Sequence, residues 1–193
     1  MSLILQGSTS GSVTLQEPAV AGTTVLTLPA VTGTILTTTS PKAGNVLQVK
    51  QTVLSTAFAT TSTSYTDITC LSVSITPISA SNTILVLLDV NGGAQDHASF
   101  RLVRNSTTIG VGSPSGSQIA TTLSNFYAFS NTNLSIGSGV TFIDSPTTTS
   151  ATTYKVQGFV QSGQLTVNGN GANSNNTFVM TSISTITVME IAV

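Results

Sequence analysis

The chain has 193 residues, of which 39% are hydrophobic and only 6% are charged, against about 25% charged in ordinary soluble proteins. Five basic and six acidic residues give a net charge of −1, which excludes a protein that grips nucleic acid through a Lys/Arg stripe. With 35 Thr and 27 Ser, the surface is wetted by hydroxyls rather than ions, and such a surface suits a chain covered by copies of itself or by partners.

The first residues, Met1-Ser2-Leu3-Ile4-Leu5-Gln6-Gly7, have neither the basic start nor the apolar stretch of a signal peptide. The longest apolar run, Ile84 to Leu88, falls far short of the ~20 residues of a membrane span. A single Cys70 rules out an internal disulfide framework. These features predict assembly in a cytoplasm, with no membrane partner.

Residues 1–40 carry one charge, Glu17, and an internal repeat: Pro18-Ala19-Val20-Ala21-Gly22-Thr23 returns eleven residues later as Pro29-Ala30-Val31-Thr32-Gly33-Thr34. Each copy follows an alternating stretch, Val13-Thr14-Leu15 and Leu26-Thr27-Leu28. Short strands broken by proline and glycine suit narrow β-ribbons that cannot bury an apolar face alone. The segment therefore reads as an extended β arm, with Val13, Leu15, Leu26 and Leu28 as the anchoring side chains. Residues 41–45, from Pro41 to Asn45, read as a linker.

Residues 46–193 alternate apolar and hydroxyl residues between turn signals, a β signature. Strands are expected at Val46–Leu54, Ile68–Thr76, Thr83–Val90, Ser99–Arg104, Gln118–Phe129, Val140–Ile143, Thr152–Gln161, Gln164–Val167 and Ile183–Ile191. Leu71, Val73 and Ile75 point one way and Ser72, Ser74 and Thr76 the other. Ile84-Leu85-Val86-Leu87-Leu88 is apolar on both faces and belongs in the middle of a sheet. Asn105-Ser106-Thr107-Thr108 reads as a hairpin turn. The fold class is all-β: an arm followed by an eight- to nine-stranded sandwich, for which a jelly roll is the expected solution.

Chemistry-bearing patterns are sparse. Cys70 and His97 cannot make a zinc site alone, so no metal or cofactor is expected. Asp96-His97 is the one carboxylate–imidazole neighbour pair, and adjacent side chains in a strand or turn point apart, so a loop polar pair is expected rather than a dyad. In Gly112-Ser113-Pro114-Ser115-Gly116 a proline stands where a nucleophile would be. Gly110-Val111-Gly112 and Asn168-Gly169-Asn170-Gly171 read as turns, and Cys70 as a small half-buried residue. Asp67, Asp89, Asp96, Asp144, Glu17 and Glu190 could serve hydrolysis only if the fold converged two of them. An enzyme is not expected. Arg101 and Arg104 fit a solvated edge or an inter-subunit ion pair, and Phe126, Tyr127 and Phe129 fit core or axial packing.

Several segments resemble a domain found widely in tailed-phage virion proteins. They are Val46-Leu47-Gln48-Val49-Lys50-Gln51, Thr63-Ser64-Tyr65-Thr66-Asp67-Ile68, Leu71-Ser72-Val73-Ser74-Ile75-Thr76-Pro77 and the ending from Ser184 to Ile191. The leader, Gly11 to Leu15 and on through Leu28 to Thr34, is similar to N-terminal segments of the same proteins. The resemblance implies a homotrimeric jelly roll, resembling the tumour-necrosis-factor fold, on a virion surface. An arm running almost directly into one domain fits a capsid decoration (cement or head-fibre) protein whose partner is the phage major capsid protein. A short tail fibre bound to tail proteins and host polysaccharide is the second expectation, and a lectin-like adhesin the third.

Overall fold

β-branched residues favour pleated, half-buried backbone, and the strands of this chain are rich in them. A computed structural model describes residues 3–16, 19–20, 22–23, 25, 30, 41–124, 134–172, 175, 177 and 179–193. Among these residues there are thirteen strands and no helix. The chain divides into two units, Met1–Ile35 and Leu36–Val193.

In the first unit, β1 (Leu3–Gln6) pairs antiparallel with β2 (Ser12–Leu15). Gly7 N donates to Gly11 O at 2.9 Å, and Gly11 takes a φ of 75° that glycine adopts without strain. The repeated prolines and most of the second repeat lie outside the described residues.

The second unit holds β3 (Val46–Leu54), β4 (Phe58–Thr60), β5 (Thr66–Ile75), β6 (Thr83–Ala94), β7 (Ala98–Arg104), β8 (Thr107–Ile109), β9 (Leu123–Ser124), β10 (Ile136–Asp144), β11 (Thr152–Val160), β12 (Leu165–Val167) and β13 (Ser184–Ile191). That is more strands than expected, because β4 and β8 are three residues long, too short for periodicity to reveal. Within the described part of Gln118–Phe129, only β9 is a strand. Its predecessors Thr121 and Thr122 bond the main chain of β7 through their hydroxyls, to Phe100 O and from Leu102 N, beside one backbone bond from Thr122 N to Phe100 O at 3.0 Å. The hairpin at Asn105 forms, with Arg104 opposite Thr107 and Asn105 at φ 53°.

All pairings are antiparallel. One sheet runs β10-β6-β13-β3, with β12 and then β4 extending it beyond β13 along the far part of β6. The other runs β5-β11-β7-β8, with β9 also on β7. β3, β6, β10 and β13 belong to the first sheet and β5, β7 and β11 to the second, so the long strands alternate between sheets along the chain. β6 has partners on both sides, the central place its doubly apolar run implies.

Ile84, Val86, Leu88 and Val90 of β6, with Ile186 and Val188 of β13, are buried against Leu71 and Ile75 of β5, Phe100 and Leu102 of β7, and Tyr154 and Val156 of β11. Each such side chain contributes roughly 1.5–3 kcal/mol of gross apolar gain.

Ile84 has a carboxylate on either side in its transverse row, Asp144 of β10 and Glu190 of β13, and Glu190 in turn faces Gln48 of β3. Both acids are buried. Arg104 Nη1 donates to the two Asp144 oxygens at 2.8 and 2.9 Å, and Tyr154 Oη donates to Oδ2 at 2.6 Å. These donors stand on β7 and β11, so the cluster ties the two sheets together. Burial and the neighbouring carboxylate push the Tyr154 phenol far up, keeping it a donor. Glu190 receives Asn82 Nδ2 and Gln48 Nε2, both at 2.6 Å, and Ile78 N at 2.7 Å. Burial pushes its carboxyl up, but these hydrogen bonds outweigh burial and hold it below its ordinary 4.5. The opposite end is closed by Asn168, at φ 59°, whose amide donates to Leu54 O at 2.7 Å and accepts from Ser184 Oγ at 2.7 Å.

Cys70 corrects one expectation: it is exposed, not half-buried. Pairing of β5 with β11 breaks off between Asp67 and Ser72, and Cys70 sits in that bulge at φ 66°.

Two outcomes follow from the buried acids. Asp144→Ala strands the Arg104 guanidinium and the Tyr154 hydroxyl and costs about 3–5 kcal/mol, read as a large drop in melting temperature. A carboxyl held below its unfolded value contributes stability that is complete above that value and lost as pH falls through the folded one. Glu190→Gln therefore lowers the melting temperature at neutral pH and makes its decline below pH 4.5 shallower than in the wild type. An unchanged acid limb in calorimetry would refute this role of Glu190.

Candidate interaction surfaces

Of the four expected anchoring residues, Val13 and Leu15 lie on β2, 61% and 45% exposed, while Leu26 and Leu28 lie outside the described residues. β1, which the sequence reading did not single out, completes their face. Leu3 stands opposite Leu15 and Leu5 opposite Val13, so four aliphatic side chains share one side of a two-stranded ribbon. All four are exposed. A ribbon of two strands has no second layer of its own to cover them.

The outer face of the first sheet carries one apolar row and little charge. Register places Ile143, Leu85, Met189 and Val49 in one transverse row across β10, β6, β13 and β3. Ile143 and Val49 are 64% and 51% exposed. The next row is Thr141, Leu87, Thr187 and Gln51, and the third Gly139, Asp89, Thr185 and Val53. Asp89 is the one charge in the three rows. Gly139, lacking a side chain, leaves a shallow cavity of about 210 Å³ beside Leu87, Thr141 and Thr185. The doubly apolar run in β6 was the sequence signal for this face; its continuation onto β10, β13 and β3 depends on register.

The outer face of the second sheet is polar and internally bonded. Asp67 accepts from Lys155 Nζ at 2.7 Å and Gln157 Nε2 at 2.6 Å. Those bonds, that from Lys155 first, hold its carboxyl below the usual range. Gln157 Oε1 accepts from Arg101 Nε at 2.7 Å, and the Arg101 guanidinium lies 4.2 Å above the Tyr65 ring. Tyr65 packs against Phe159 with ring centres 5.5 Å apart, and its hydroxyl bonds Ser99 Oγ at 2.7 Å. Of the two roles expected for the arginines, a solvated edge or an inter-subunit ion pair, the solvated edge does not hold: within the chain Arg101 covers Tyr65 and Arg104 holds Asp144.

Where β7 begins and β11 ends, a cleft of about 620 Å³ opens between His97–Ser99, Phe159, Gln161 and the segment from Gly112 to Thr121. At its rim Asp96-His97 is the loop polar pair expected of it, although its two side chains meet rather than point apart. The tight β6–β7 turn lets Asp96 Oδ1 meet both the backbone N and Nδ1 of His97, at 2.7 and 2.8 Å, while Oδ2 accepts from Ser162 Oγ at 2.8 Å.

Asp144 and Glu190 are each occupied by their own donors, and no group of three or more His, Cys, Asp or Glu side chains able to hold a metal occurs among the described residues. Phe126, Tyr127 and Phe129 lie outside those residues. No protein-family profile matches the chain, and no curated protein matches its sequence. The class that the fold defines is an all-β sandwich of two antiparallel sheets.

Proposed function

We propose that the chain is a phage virion structural protein of the capsid-decoration type, a homotrimer that attaches to the major capsid protein through its N-terminal arm. The observation that carries this reading is the apolar row Ile143, Leu85, Met189 and Val49 on the outside of a folded sheet. Ile143 and Val49 are exposed at the ends of this row and Leu85 and Met189 half-buried between them; clustered exposed apolar side chains suit contact with other chains, and the cores of interfaces between identical subunits are rich in them. The polar, self-bonded exterior of the other sheet is the face left to solvent. Strand orders β10-β6-β13-β3 and β5-β11-β7-β8, filled alternately along the chain, support a jelly roll resembling the tumour-necrosis-factor fold.

In this reading the arm works by passive attachment. Its aliphatic face, four side chains on the β1–β2 ribbon, gains roughly 1.5–3 kcal/mol per buried residue. Strand addition to the coat and simultaneous attachment of three arms supply the rest. Assembly takes place in the host cytoplasm and the body stands on the virion surface. A short tail fibre that recognises host polysaccharide is the second reading, favoured by the cleft beside Phe159. Antibody label over the head supports decoration, and label confined to the tail supports the second reading.

Light scattering at micromolar concentration is expected to return three times the 19.7 kDa chain mass, and Leu85→Asp with Met189→Asp a folded smaller species. A folded wild-type monomer would refute the trimer. The quadruple change of Val13, Leu15, Leu26 and Leu28 to Ser is expected to leave the trimer intact and abolish its incorporation into virions. Wild-type occupancy by that variant would transfer attachment from the arm to the body.

A further inference from the structure

The cleft beside Phe159 has the dimensions and lining of a small-molecule site. Its volume, about 620 Å³, lies within the roughly 300–1,000 Å³ range of such sites. An aromatic ring, Phe159, lines it. That ring is backed by Tyr65, whose position is fixed from two directions, by Arg101 above its face and by Ser99 at its hydroxyl. Such a wall is organised before any ligand arrives, so little ordering cost remains for binding.

The polar groups around it are neutral and of both senses. Gln118 has its oxygen taken by Ser115 N at 2.9 Å, which holds the carboxamide in place and leaves its nitrogen to donate. The Gln161 side chain, with no hydrogen-bond partner among the described residues, offers both a donor and an acceptor. Ser113 and Ser124 add hydroxyls, and the His97 ring stands at the mouth, held by Asp96. The lining holds no Lys, Arg, Asp or Glu, so a phosphate or carboxylate would meet no charged counterpart. An apolar wall opposite carboxamides and hydroxyls complements a ligand with a C–H face and a rim of hydroxyls.

We propose that this cleft binds a neutral pyranose sugar, its C–H face on Phe159 and its hydroxyls bonded by Gln118 and Gln161. All of these groups belong to the second unit, so the site does not rest on the decoration reading; it names a ligand class for the cleft that favours the second reading.

The test is saturation-transfer NMR on the full chain with methyl pyranosides of glucose, galactose, mannose and N-acetylglucosamine. At least one is expected to receive saturation at its ring C–H protons. Phe159→Ala and the double variant Gln118→Ala with Gln161→Ala are each expected to weaken that sugar by about tenfold or more. Phe159 packs on Tyr65 and its loss could unfold the sheet, whereas both glutamines stand outside the core, so the double variant keeps the test decisive. The proposal is overturned if none of the sugars binds the wild type, if binding survives the double variant, or if only peptide probes occupy the cleft.

Discussion

Two carboxylates flanking one isoleucine govern how this sandwich closes. Ile84 points into the core, and its cross-strand neighbours Asp144 and Glu190 point the same way because residues in one transverse row share a face. A buried charge is tolerated only when paired and fully hydrogen-bonded. For Asp144 the partners come from the opposite sheet, and for Glu190 from the β5–β6 corner and the edge strand β3. Meeting those demands fixes how β7 and β11 lie over β10, and how the chain turns from one sheet into the other. A chain with so few charges thus spends two of its acids on geometry rather than solubility.

The two exteriors differ for a related reason. Ions that would wet the three outer rows of the first sheet are scarce, and several of those the chain has lie on the other sheet. Lys155, Asp67 and Arg101 sit on the second sheet and bond one another or an aromatic ring. The first sheet is left with Asp89 in three rows of otherwise neutral side chains. The same scarcity leaves the cleft lined with amides and hydroxyls, and it directs its chemistry toward uncharged, hydroxylated ligands.

Much of the architecture was legible in the residues. The bounds of β3 follow from its alternation, and the central place of β6 from an apolar run that no edge strand would carry. Three features were not legible, each because a single sequence omits pairing. β8 exists because the longer β7 supplies its ladder, and β4 because β12, itself held on β6, lies beside it. Cys70 faces solvent because β5 accommodates extra residues that β11 lacks. The Asp96-His97 contact arises because a tight turn rotates two neighbours that extended backbone would separate. The candidate surfaces share that limit: Val13 and Leu15 were evident as an alternating pair, but their partners Leu3 and Leu5, and the row linking Val49 to Ile143, are set by register.

The bulge at Cys70 bears on what the molecule avoids becoming. β5 is the outermost strand of its sheet, and an uninterrupted outer strand is a template onto which further chains can stack without limit. Between Asp67 and Ser72 the ladder is broken and the backbone passes through a left-handed residue, which bends the strand out of line. The rim that would otherwise seed a filament of unfixed length is interrupted there. An edge broken in this way offers a neighbouring chain no continuous ladder to extend, which counts for a surface carrying so few charges to keep copies apart.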